Sequence, residues 1–64
     1  MLANGRQVAM ENETPLSEFL KSEGYDAQRV AVEKNGKIVP KKMFESEILS
    51  DRDRLEIVSF VGGG

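Results

Sequence analysis

Arg54-Leu55-Glu56-Ile57-Val58-Ser59-Phe60-Val61-Gly62-Gly63-Gly64 carries the most apolar run of this chain and passes straight into three glycines. Valine, isoleucine and phenylalanine favour strands, so Arg54 to Phe60 reads as the last strand. Side chains alternate along a strand. Leu55, Ile57, Ser59 and Val61 point one way, and Glu56, Val58 and Phe60 the other. A glutamate avoids the core, which puts Val58 and Phe60 on an open face. An exposed apolar patch there marks an interaction site, so both are expected to dock a partner. The free carboxylate of Gly64 is the expected seat of chemistry.

Working back from this strand, Ser50-Asp51-Arg52-Asp53 is a polar turn, and Ile48 and Leu49 supply apolar contacts. Val30 to Lys34 is a strand whose Val30 and Val32 share a face. Asn35-Gly36 turns it into Lys37-Ile38-Val39, a short edge strand ended by Pro40. Lys41 to Ser46 is expected to make a single helical turn. Leu16, Phe19 and Leu20 form an apolar stripe at helical spacing. The helix is predicted from Pro15 to Glu23, with Thr14 as its cap, Pro15 in its first turn and Gly24 as its stop. A first Asn-Gly pair, Asn4-Gly5, joins Met1–Ala3 to Arg6–Met10 as a hairpin.

The order is thus β-β-α-β-β-β. One helix covers only one face of a sheet, so the other face meets solvent or a partner.

With 64 residues the chain is one domain. It contains no cysteine and no histidine. That removes disulfides, thiolate zinc sites, the commonest metal ligand and the commonest general base near neutral pH. No metal site and no catalytic residue is expected. Nine basic and eleven acidic residues give a formal charge of −2, which argues against nucleic acid as a partner. No apolar run is long enough for a membrane span, and the start lacks a signal-peptide core. A soluble, cytoplasmic domain is expected. Lys41 and Lys42, with Arg52 and Arg54, read as solvated surface rather than a docking patch. Glu45 and Glu47 read as solvated charge. Tyr25 is expected to pack over the helix end.

The element order with a terminal strand and a bare glycine end resembles the ubiquitin-like, β-grasp fold. Two segments sharpen the likeness. Arg29 to Pro40, with its Val-Ala-Val-Glu-Lys-Asn-Gly core, and Asp51 to Gly64 both resemble the thiamine-biosynthesis sulfur carrier (ThiS) family. The opening Asn-Gly hairpin and the helix also fit, so the resemblance covers the whole chain.

The resemblance implies an α+β fold, with a mixed four- to five-stranded sheet packed on one main helix over residues 1–61. A flexible, reactive tail of Gly62, Gly63 and Gly64 follows. It also implies a defined activity. The Gly64 carboxylate is adenylated by a ubiquitin-activating-type adenylyltransferase that uses ATP and Mg²⁺, then converted to a thiocarboxylate. The sulfur is donated at thiazole synthase. The carrier is a protein co-substrate rather than an enzyme, binds no cofactor itself, and is expected to be a monomer when free. Gly62 and Gly63 thread the partner's channel, since glycine lacks a Cβ. Two other readings accompany this one: a molybdopterin-synthase-type sulfur carrier, and a ubiquitin-like interaction module with an inert tail.

Overall fold

The computed structural model describes residues 1–60 of the chain. Along it run β1 (Leu2–Ala3), β2 (Arg6–Gln7), β3 (Thr14–Pro15), α1 (Leu16–Ser22), β4 (Val30–Lys34), β5 (Lys37–Val39), β6 (Ile48–Leu49) and β7 (Arg54–Ser59). Five strands form one sheet in the order β2-β1-β7-β4-β5, and β3 pairs with β6 in a second, two-stranded sheet. β1 runs parallel to β7, while the other neighbours are antiparallel, so the main sheet is mixed. This is the β-grasp arrangement, with the last strand in the middle.

The apolar stripe of α1 packs on one face of that sheet. Leu16, Phe19 and Leu20 from the helix meet Val30 and Val32 of β4, Val39 of β5, and Leu55 and Ile57 of β7. Met1, Phe44 and Leu49 complete the buried cluster, with Tyr25 packed against it. Among the described residues no helix is long and apolar enough to cross a membrane.

Both Asn-Gly pairs make the expected tight turns. Asn4 and Asn35 take φ of 52° and 54°, and each is followed by a glycine with positive φ, as a type I′ turn requires. The first ladder is shorter than Arg6–Met10, though Met1 and Val8 continue it: the Val8 N–H donates to the Met1 carbonyl at 2.8 Å and the Met1 amino group to the Val8 carbonyl at 3.0 Å.

The helix ends as its sequence suggests. Gly24 has φ of 83°. The Gly24 N–H donates to the Lys21 carbonyl and the Tyr25 N–H to the Leu20 carbonyl. This pair of reversed bonds satisfies carbonyls that the helix itself leaves free.

The helix start departs from the expectation. Thr14 does not cap: its Oγ1 donates to the Asn12 carbonyl, and the capping position is held by Pro15, which makes no side-chain cap bond. Thr14 and Pro15 instead pair with Leu49 and Ile48. The free N–H groups of the first turn then find distant carbonyls, Leu16 donating to Glu47 and Ser17 to Phe44, both at 2.8 Å. The loop after β5 thus caps the helix in place of the threonine, and a start offset by one residue follows. Residues Ala27–Arg29 add a short 3-10 turn that sequence reading passed over. The single turn expected over Lys41 to Ser46 is a shorter 3-10 helix, Lys41–Met43.

Candidate functional site

The candidate site is the sheet face turned away from α1, together with the end of β7. The register assigns its members. Val58 lies opposite Ala31, Glu56 opposite Glu33, and Ile38 of β5 opposite Glu33 on the other side. Leu55 and Ile57 are buried, while Glu56, Val58 and Phe60 are exposed. The expected alternation is present from Arg54 to Val58; Ser59, expected on the side of Leu55 and Ile57, is exposed, and the strand ends there, one residue before Phe60. Val58 is 58% exposed and Phe60 54%. Ile38, which sequence reading left without a face, is 70% exposed and joins them. Large apolar side chains exposed on one sheet face are the kind of surface that marks an interaction site.

Three devices fix β7. At its far end the Phe60 N–H donates to the Arg29 carbonyl at 2.7 Å. In its middle, the turn residue Asn4 reaches across to Ile57: its Oδ1 accepts from the Ile57 N–H at 2.7 Å, and its Nδ2 donates to the Ile57 carbonyl at 3.1 Å. An amide side chain thereby continues the β1–β7 ladder past the point where β1 turns away. At its near end Asn35 binds the Arg54 N–H through Oδ1 and donates Nδ2 to Asp53 at 2.9 Å.

Asp53 and Lys34 organise that near end. The Lys34 Nζ donates to Glu47 at 2.9 Å and to the Ile48 carbonyl at 2.8 Å, and stands 3.7 Å from Asp53. The hydrogen bond to Glu47 raises the Lys34 pKa against the opposing effect of burial. Burial pushes the Asp53 carboxyl up, but hydrogen bonds from Asn35 and Ser50 and the charge of Lys34 outweigh it, and its pKa is lowered. The Met1 α-amino group, hydrogen-bonded to Asp51 at 2.9 Å, lowers the Asp51 pKa likewise.

The linkage signs follow. Stability from Asp53 is full above the ordinary carboxyl value of 3.8 and is lost as pH falls through its lower folded value. Stability from Lys34 is full below 10.5 and is lost as pH rises through its raised one. Asp53→Asn is thus expected to flatten the acid limb of stability. Urea midpoints measured from about pH 2 to pH 6 check this, and an acid limb as steep as that of the unaltered chain would refute it.

Of the other charged candidates, Lys41 and Glu47 are engaged by neighbouring groups. The Lys41 Nζ donates to the Gln28 carbonyl, and Glu47 is taken up by Lys34. Arg54 lies opposite Leu2, two residues before Glu56 on the exposed side of β7. Tyr25 is half-buried against the core. Val61 and the glycines Gly62, Gly63 and Gly64 lie outside the described residues.

Residues 1–64 match the model of the ThiS family. The chain belongs to the ThiS family. It is 39% identical to the sulfur carrier protein ThiS of Bacillus subtilis, over 95% of this chain and 94% of that protein. The crystal structure of the thiamine biosynthesis protein ThiS from Geobacter metallireducens superposes with a TM-score of 0.81 at 27% identity, covering 98% of this chain and 96% of that one. A thiazole synthase of Paramagnetospirillum magneticum contains a segment 38% identical to the whole chain. The ThiS-family chain spans only 20% of that relative's length.

Proposed function

We propose that this chain is a sulfur carrier in thiamine biosynthesis and that its reactive atom is the carboxylate carbon of Gly64. A carboxylate oxygen attacks the α-phosphorus of ATP and pyrophosphate leaves. Hydrosulfide then attacks the acyl adenylate, AMP departs with the former carboxylate oxygen, and the S–H proton is lost to solvent. The product is a thiocarboxylate that gives up its sulfur at thiazole synthase. The chain supplies no catalytic group for these steps. It is the substrate of a ubiquitin-activating-type adenylyltransferase, which holds the ATP and Mg²⁺.

The observation that carries the reading is the apolar face leading directly to the end of β7, in a chain of this family. A tail of three residues reaches about 10 Å when extended. Ordering it in a partner's channel costs about 1–2 kcal/mol per residue, so a docking surface beside it has to offset that loss. Val58, Phe60 and Ile38 supply one, and Gly62 and Gly63 thread the channel.

Incubation with the activating enzyme, ATP and a sulfur source, followed by mass measurement, tests this. The expected result is an oxygen-to-sulfur mass increase at the C-terminus; absence of both that increase and adenylate exchange would sink the reading. For the docking surface, Phe60→Ala is expected to weaken binding to the adenylyltransferase by about tenfold or more with little change in thermal midpoint. A large fall in midpoint at unchanged affinity would mean that Phe60 serves the fold instead.

A further inference from the structure

Glu33 and Glu56 stand directly opposite each other in the β4–β7 ladder, both exposed on the open face. Directly opposed residues hold their Cβ atoms about 4.5–5.5 Å apart, and like charges in that position destabilise the sheet. Four other carboxylates have cationic partners: Asp26 has Arg29, Glu47 and Asp53 share Lys34, and Asp51 has the Met1 amino group. None of the ion pairs among the described residues involves Glu33 or Glu56. Arg54, two residues before Glu56 on the same strand face, lies opposite Leu2 in the neighbouring ladder.

The pair is set within the apolar surface. Ile38 flanks it on one side, and the Val58–Ala31 pair forms the next row along the strands. A protein that covers Val58 and Ile38 therefore also strips water from two adjacent carboxylates. Burying unpaired charge is costly. A partner that supplies a cation there turns the cost into recognition, and a guanidinium, whose planar fork of donors matches carboxylates, suits the task best. The same pair works against a second copy of this chain, because two open faces stacked together would oppose four carboxylates.

We propose that Glu33 and Glu56 are the specificity determinants of the open face, and that they receive a cationic side chain, an arginine, from the apolar docking surface of thiazole synthase. This rests on the sulfur-carrier reading. Thiazole synthase is the chosen partner because a domain of this family shares one polypeptide with it in the Paramagnetospirillum relative.

The test compares Glu33→Gln, Glu56→Gln and the double variant with the unaltered chain, for thermal midpoint and for affinity to the cognate thiazole synthase at low and high salt. Glu18→Gln, which removes the same charge from an exposed position on α1, is the control. The expected result has opposite signs: an unchanged or higher midpoint, with affinity reduced about tenfold or more by each open-face substitution. High salt narrows the difference, and the control binds normally. Unchanged affinity in the double variant, or an equal loss in Glu18→Gln, would overturn the proposal. So would binding by the activating enzyme alone, or a dimer of this chain that covers the face. Failure of the sulfur-carrier reading shows separately, as an unaltered chain that never gains sulfur by mass.

Discussion

A chain carrying one additional alanine after Gly64 is expected to give no pyrophosphate exchange with the activating enzyme and no thiocarboxylate. The added peptide bond turns the Gly64 carboxylate into an amide, whose oxygen is far too weak a nucleophile to attack ATP. The new terminal carboxylate lies one residue beyond, about 3.3–3.6 Å further along an extended chain. Displacements of about 1 Å from a productive geometry already cost about 10²-fold. The buried cluster is built from Met1 through Ile57, so the thermal midpoint should not change. Affinity for the partner through the open face should also be largely kept, which makes the variant a non-reactive competitor. Exchange measured beside a denaturation curve decides the matter. Turnover at the normal rate would mean that the free carboxylate of Gly64 is not the reacting group.

The second large effect concerns the fold. Leu55→Ala is expected to leave the chain mostly unfolded at moderate temperature. Leu55 is fully buried, and its strand lies between β1 and β4 in the middle of the sheet. Truncating a buried leucine to alanine costs about 2–5 kcal/mol. At about 0.05–0.15 kcal/mol per residue, a domain of this size holds only about 3–10 kcal/mol in all. The substitution therefore removes a large part of the total, where Phe60→Ala on the opposite face of the same strand removes little. Urea denaturation followed by circular dichroism measures the difference. A midpoint close to that of the unaltered chain would show that the centre of the core lies elsewhere.

The faces of β7 were legible because a single glutamate inside an alternating apolar strand fixes which side is open. Val58 and Phe60 could thus be named from sequence. Ile38 could not, because a three-residue strand carries too little periodicity; its face follows only from the register across Asn35-Gly36. Thr14-Pro15 reads locally as a helix start, yet its partners Ile48 and Leu49 lie far along the chain, and long-range pairing overrode the local cap. Asn4-Gly5 carries its turn in plain sight. The second role of Asn4, closing the ladder on Ile57, spans 53 positions and leaves no local signature. The opposed pair of Glu33 and Glu56 was invisible for the same reason, since each alone is an ordinary surface residue.

The place of β7 has a consequence for synthesis. Its neighbours β1 and β4 are joined through it, and among the described residues it is the last strand in chain order. A nascent chain can form the β1–β2 and β4–β5 hairpins and α1, but it has no sheet to lay the helix on until residue 59 is free of the ribosome. Chains that break off early cannot complete the docking face. Folding therefore depends on the long-range pairing of β7 with β1 and β4, and is slower than local turns and helices alone would give. A partner that recognises the finished sheet thereby accepts only chains that extend through the whole of β7.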